Sequence, residues 1–305
     1  MDLSVVVPTL NSRDQLASCL DALAAAEPTE CLVVNGPSAD GTSGMCRDRD
    51  DVDVLVEIDA RNVNVARNAG IRYARGETVA FISHDLTVDD GWTDAVEAGL
   101  ATGAVATGPV RASDEQAADG PESRSIGGRS VTYLAGGNVA FARDVLAELD
   151  GFDESLDVGG ARDIAHRLAG IDEPVSWEPS MTTTRHSDTA VQPSVLADGG
   201  DGPNWQWRYR SLTYRLVKNY GVRPTVAYRV ARHAVADGVD AARDVLRGDG
   251  TPSRWAGNGR DVLAGTLDGL ASGSRARFGD RSPRRNPSGL SARADRAVAV
   301  YDRRG

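Results

Sequence analysis

Three short polar segments sit where an α/β protein does its chemistry, each directly after an apolar run. Pro8-Thr9-Leu10-Asn11 follows residues 3–7, Asn35-Gly36-Pro37-Ser38-Ala39-Asp40-Gly41-Thr42 follows residues 31–34, and Ser83-His84-Asp85 follows residues 78–82. Open parallel sheets bind ligands beyond the carboxyl ends of their strands. Polar side chains converging there could hold a nucleotide, and Asp85 could hold a divalent cation bridging its phosphates. Such oxygen ligands suit a hard octahedral ion, Mg or Mn. The competing reading is structural, because an Asp at a strand end commonly caps the next helix.

The elements that would carry these loops follow from periodicity. Residues 3–7, 31–34, 52–58, 78–82 and 104–108 read as strands. Between them, helices are expected after the capping-box spacing Ser12-Arg13-Asp14-Gln15, with Leu16, Cys19, Leu20 and Leu23 on one face, then at 42–47, 63–73 and 92–100. That alternation is the βαβ signal of a mainly parallel sheet flanked by helices. Residues 111–130 are polar and expected to be a mobile loop. Order resumes at 131–141 and continues to a helix near 162–169. Beyond 199–203, helices are expected at 209–220, 226–246 and 255–270. The expected division is an α/β domain over 1–200, a basic amphipathic helical extension over 201–278, and a disordered Arg-rich tail over 279–305.

The 305 residues carry 44 acidic and 34 basic side chains, a net charge of −10. Aspartate outnumbers glutamate 33 to 11, and Lys218 is the only lysine. An acidic surface stripped of lysine keeps a protein soluble under heavy screening, which points to a salt-rich source. Residues 1–200 hold 34 acids against 14 arginines, whereas 201–305 hold 10 aspartates against 19 arginines and the lysine. That asymmetry calls for an anionic partner of the C-terminal third. No apolar run is long enough to span a bilayer, and the chain opens on a strand without a signal-peptide pattern. Cys19, Cys31 and Cys46, odd in number and in apolar surroundings, read as reduced core thiols of a cytoplasmic protein.

Several chemistries are excluded. Lys218 stands in Val-Lys-Asn, so there is no Walker-A loop, and neither G-x-G-x-x-G nor G-x-S-x-G occurs. The segments that remain resemble those of the family-2 glycosyltransferases, in family order over about residues 1–190. Val5-Val6-Val7-Pro8-Thr9-Leu10-Asn11 is similar to their opening strand and loop, and Ser38-Ala39-Asp40-Gly41-Thr42 to their S-x-D-G-T turn. Ala66-Arg67-Asn68-Ala69-Gly70-Ile71, Ala74-Arg75-Gly76-Glu77 and Phe81-Ile82-Ser83-His84-Asp85 resemble the run into their D-x-D motif. Gly137-Asn138-Val139-Ala140-Phe141 and Gly151-Phe152-Asp153-Glu154 resemble their acceptor-side signature. The resemblance implies the GT-A fold, a nucleotide-sugar donor and transfer of a sugar to a hydroxyl by inverting single displacement.

Three departures shape the expected site. The acidic pair at the end of the second strand is Asn35-Gly36 here, and the Asn35 amide is expected to meet a uracil edge instead. The D-x-D motif has become Ser83-His84-Asp85: Asp85 takes the metal position, Ser83 replaces the ribose-facing carboxylate, and His84 is structural. His186 matches a position that completes the metal shell. The catalytic base depends on register. Aligned on Arg162-Asp163 it is Asp163, whereas aligned on Arg167 the acidic pair falls on Gly160-Ala161 and no base remains; Asp157 is the reserve. Asp163 could equally cap its helix or pair with Arg167 at i+4. Pro8, Thr9, Asn11, Asp40 and Arg67 complete the expected nucleotide-sugar site, with Arg67 on the phosphates.

The acceptor is read from the basic third. Arginines flank helical faces containing Trp205, Trp207, Tyr209, Tyr214 and Trp255, a combination suited to anionic headgroups at a membrane interface. A lipid-linked, dolichol phosphate-type glycan on the cytoplasmic membrane face is the expected acceptor, in the setting of archaeal S-layer and flagellin N-glycosylation that the resemblance implies. Packing of these helices on the acidic domain is the alternative. Nucleic acid is not an expected partner, since the acidic domain repels phosphates. A catalytically silent sugar-nucleotide or glycan-binding relative, or a nucleotidyltransferase, are the competing functions.

Overall fold

A computed structural model of the protein describes residues 1–112, 120–185, 204–247, 252–280 and 284–304. In chain order it runs β1 (Leu3–Thr9), α1 (Arg13–Ala26), β2 (Glu30–Asn35), α2 (Thr42–Arg47), β3 (Val54–Ile58), α3 (Val63–Tyr73), β4 (Thr78–Ile82), β5 (Leu86–Val88), α4 (Trp92–Leu100), β6 (Val105–Thr107) and β7 (Val110–Ala112). Next come β8 (Ser123–Ile126), β9 (Arg129–Thr132), β10 (Asn138–Ala142), α5 (Arg143–Glu148), α6 (Gly160–Leu168), β11 (Ser176–Trp177) and β12 (Thr183–Arg185). The helices α7 (Trp205–Tyr220), α8 (Pro224–Arg247) and α9 (Pro252–Gly279) precede a last strand, β13 (Ala297–Asp302).

The chain divides into two compact units. The first is Met1–Arg124, Ser130–Leu196 and Ser288–Gly305; the second is Ser125–Arg129 and Ala197–Pro287. The first is built on an eight-stranded sheet in the order β11-β6-β10-β4-β1-β2-β3-β13. Strands β4, β1, β2 and β3 are mutually parallel, while β10 and β13 run antiparallel to their neighbours. Every residue of β1 is buried, Ser4 and Thr9 included, which is why Val5, Val6 and Val7 run on without polar alternation. One face, including Val5, Val7 and Val33, packs against Leu16, Leu20 and Leu23 of α1 and Trp92 of α4. The other receives α3, whose Gly70 sits where a Cβ would lie 2.3 Å from Val6 Cγ1.

Three expectations are corrected here. The Ser12 side chain does not cap α1; its hydroxyl donates to the Leu10 carbonyl, and the Arg13 amide donates to Asp40 instead. Strand β8 lies within, and β7 and β9 extend into, the stretch expected as a loop, of which residues 113–119 fall outside the described residues. The tail expected to be disordered contains β13, paired antiparallel with β3. Contacts of its side chains explain why: Arg304 pairs with buried Glu30 and donates to the Tyr73 carbonyl, and the Tyr301 ring lies 5.1 Å from Arg47 of α2. The 279–305 segment therefore splits at residue 287 between the two units.

In the second unit α9 lies directly on α7. At Gly265, Gly269 and Gly273 a Cβ would come 2.0–2.7 Å from the carbonyl oxygens of Gln206, Arg210 and Tyr214. Glycine every fourth residue is what permits this backbone approach along one helical ridge. Tyr209, Tyr214 and Lys218 are buried inside the unit, and Lys218 lies 5.4 Å over the Tyr214 ring. Two of the aromatics expected at an interface are thus core residues, while the Trp255 side chain falls outside the described ones. No helix among the described residues is long and apolar enough to cross a membrane.

Candidate active site

The loops after β1 and β2 are stitched into one structure. Their strands run in register, with Thr9 opposite Asn35. Asn11, held at φ 49°, donates its backbone N–H to Ser38 Oγ at 2.8 Å and accepts from the Ala39 N–H at 2.8 Å. Asn35 is buried, accepts from Ser38 Oγ at 2.7 Å and donates to Ser43 Oγ at 2.8 Å. Its amide thus shapes the loop, and the expected base-facing role is not the one these bonds describe. Asp40 accepts from the Arg13 N–H at 3.0 Å and from the Thr42 N–H and hydroxyl, tying the first turns of α1 and α2 together. Burial pulls its pKa upward, but the Thr42 hydroxyl and these amides outweigh that and hold it below the usual aspartate value. Thr9 Oγ1, buried, has no hydrogen-bond partner among the described residues.

The loop after β4 packs beside them. His84 Nδ1 lies 3.2 Å from the Pro8 carbonyl, and burial pushes its pKa down, so it is neutral and structural, as its place in the strand suggests. Ser83 donates to Asp85, and its backbone N–H bonds to the Gly137 carbonyl at 3.1 Å. A Cβ at Gly137 would lie 2.8 Å from Ser83 Cβ, which accounts for glycine there. The other Asp85 oxygen receives Arg185 Nε at 3.0 Å. Burial alone would raise the Asp85 pKa, yet the Ser83 hydroxyl and the Arg185 charge bring it below normal, so the carboxylate stays ionised.

Could this loop hold a divalent ion? Among the described residues no three His, Cys, Asp or Glu side chains are grouped to share one. His186 lies outside the described residues. An Mg-type ion that takes most of its ligands from phosphates and water needs only one or two protein carboxylates. The ionised, part-exposed Asp85 fits that smaller demand, with Arg185 as the group the ion would displace.

A second cluster surrounds Arg67. Its guanidinium donates to the Gly136 carbonyl at 2.7 Å and to Asn64 Oδ1 at 3.3 Å, and stands 5.0 Å over the Phe152 ring. Nε has no partner, no carboxylate pairs with it among the described residues, and burial lowers its pKa to about 10. Asn68 of the same helix brackets the Phe152 backbone, accepting its N–H at 2.8 Å and donating to its carbonyl at 2.9 Å. Asn62 caps α3 and donates to Asp157 at 3.2 Å. These asparagines, like Arg185, were missed by sequence reasoning; only the Asn62 cap has a local signal, a lone Asn ahead of an apolar helical period.

Asp163 lies elsewhere. It is fully buried in α6, where Arg167 Nε meets its carboxylate at 2.9 Å and the Arg167 Nη atoms donate to the Leu149 and Gly151 carbonyls. The residue expected as the catalytic base is thus buried and paired at i+4, the structural placement its spacing also allowed. Ala161, at the position of the acidic pair in that register, sits near Gly136, where a Cβ would lie 2.8 Å from its own.

Residues 4–147 match the family described as glycosyl transferase family 2. Among curated relatives, glycosyltransferase AglE of Haloferax volcanii is 30% identical over 108 residues, 33% of this chain and 34% of the relative. Glycosyltransferase GlyA of Streptococcus pneumoniae is 26% identical over 97 residues, 30% of this chain and 14% of that protein. The match thus spans about a third or less of the length of these relatives. A mannosyltransferase of Pyrobaculum calidifontis, solved with GDP-Man and Mn2+, superposes with a TM-score of 0.56 at 19% identity, covering 88% of this chain and 87% of its own. Residues 1–349 of S. aureus TarS, solved with UDP-GlcNAc, give a TM-score of 0.57 at 15% identity, covering 92% and 93%. The fold is that of the GT-A glycosyltransferases.

Proposed function

We propose that the protein transfers a sugar from a nucleoside-diphospho-sugar to a hydroxyl of a lipid-linked glycan, on the cytoplasmic face of the membrane. The observation that carries this reading is the convergence of the loops after β1, β2 and β4, with ionised Asp85 and, among the described residues, an unpartnered Thr9 hydroxyl and a carboxylate-free Arg67 guanidinium around them. The match to a domain of AglE and the GDP-Man and UDP-GlcNAc complexes of fold relatives support a nucleotide-sugar donor. Pro8, Thr9, Asn11 and Ser83 would line the nucleotide, while Asn35 and Asp40 hold that wall in shape. Asp85 would hold a Mg or Mn ion, which when bound neutralises charge on the departing diphosphate. Arg67 would meet the donor phosphates from the opposite side.

Proton removal from the acceptor hydroxyl is assigned to Asp157. It is part-exposed and anchored by Asn62, next to the carbonyls of Glu154 and Leu156 that the same amide binds. The salt-rich setting rests on composition and on the likeness to a Haloferax volcanii glycosyltransferase, and S-layer glycoprotein glycosylation on the family resemblance alone. One observation favours a second reading, a donor-binding relative with weak turnover: α6 opens with Gly160-Ala161 where a carboxylate would serve. Screening nucleotide sugars for nucleoside diphosphate release, with a lipid extract as acceptor, separates the two. Release that requires both donor and lipid supports transfer; tight donor binding without release supports the second reading.

A further inference from the structure

Four arginines of the helical unit converge on the end of α7. Arg277 Nη1 donates to the carbonyls of Lys218 and Asn219, each at 3.1 Å, and Arg285 donates to the same Asn219 carbonyl at 2.5 Å. Arg277 packs on Gly221, whose φ of 79° ends the helix; a Cβ there would lie 3.1 Å from Arg277 Nε. Arg285 is itself left-handed at φ 46°, in a turn where Asp280 accepts from both Arg284 and the Asn286 N–H. From the β8–β9 hairpin, Arg129 stands 5.7 Å over the Tyr220 ring. Arg223 immediately precedes α8, and its carbonyl accepts from the Val226 and Ala227 N–H groups.

Holding these charges together costs free energy. Burial lowers the pKa of Arg277, and the charges of Arg223 and Arg129 lower it further; Arg285 responds in the same way. Among the described residues Arg129, Arg223 and Arg277 form no ion pair with a carboxylate, although the chain as a whole is acidic. The α7 carbonyls supply only about half an elementary charge, and the amino end of the 24-residue α8 adds positive potential at Arg223. Next to the two arginines stand large apolar side chains in water: Val222 is 72% and Phe278 86% exposed.

We propose that Arg129, Arg223, Arg277 and Arg285 form a receptor for the phosphate of an anionic membrane lipid, with Val222 and Phe278 entering the acyl boundary beside it. Guanidinium forks match phosphate oxygens at contact distance, so the attachment survives salt that screens longer-range attraction. The apolar neighbours are what favour a lipid over a soluble phosphate. The receptor shares no residue with the donor site and its test involves no turnover, so it stands or falls independently of the transfer reading.

The experiment is flotation of the full chain in concentrated salt with phosphatidylcholine vesicles, with and without phosphatidylglycerol. The protein should float with the anionic vesicles. Each of Arg223→Ala and Arg277→Ala should weaken binding about fivefold, from about 1 kcal/mol per basic residue at an anionic surface. Phe278→Ser should weaken it at high salt, while Arg232→Ala on α8 should not. Arg223 is exposed, so its variant keeps the fold, and circular dichroism checks this. Undiminished flotation of the Arg223→Ala/Arg277→Ala double variant overturns the proposal. So does calorimetric binding of inorganic pyrophosphate by a protein that leaves anionic vesicles unbound.

Discussion

Asp163 and Arg167 face each other across one turn of α6 at 2.9 Å, and neither side chain reaches solvent. Arg167 spends its remaining donors on the Leu149 and Gly151 carbonyls, so the pair anchors α6 to the segment that carries Gly151-Phe152-Asp153-Glu154.

Asp163→Asn should therefore destabilise the protein, by about 3–5 kcal/mol if the stranded guanidinium stays buried. Denaturant unfolding measures this. A variant with wild-type stability and a hundredfold loss of turnover would return Asp163 to the chemistry.

Asp157→Ala should lower turnover about 10²–10⁴-fold, the usual range for a lost general base. Donor binding, read by nucleotide titration, should stay near wild type, because Asp157 is part-exposed and bonded to Asn62 rather than to the donor loops. Turnover near wild type would reject the assignment.

The Arg185–Asp85 contact predicts competition between guanidinium and cation for one carboxylate. Arg185→Ala should reduce the Mg or Mn concentration needed for half-maximal activity, and Asp85→Asn should abolish the cation dependence together with transfer. Metal titrations of the two variants decide the matter; an unchanged midpoint in Arg185→Ala counts against competition.

Glu30 links acid stability to the returning tail. Burial raises its pKa, but the Arg75 N–H, the Ser4 hydroxyl and Arg304 together bring it below the ordinary value. Its contribution is then present above about pH 4.3, the unfolded glutamate value, and is lost as pH falls through the lower folded pKa. Glu30→Gln should flatten the acid limb of the stability curve, and Arg304→Ala should do so partly. Thermal melts across the acid range read both.

What the sequence by itself determined is the part written in local patterns. The helices Thr42–Arg47, Val63–Tyr73 and Trp92–Leu100 and the strand Thr78–Ile82 appear at the expected residues, because their apolar period alone selects the element and its buried face. The strand-end loops were legible for the same reason, and with them the fold. Tertiary structure alone decided which polar groups meet. Arg185 reaches Asp85 from 100 positions along the chain, Arg304 crosses to Glu30 from 274, and four separate segments bring the arginine cluster together. A carboxylate carries no local mark of whether it will face solvent, a guanidinium or a helix end. For Asp163 it was burial that set a candidate base against Arg167, and burial is settled by packing between elements distant in sequence.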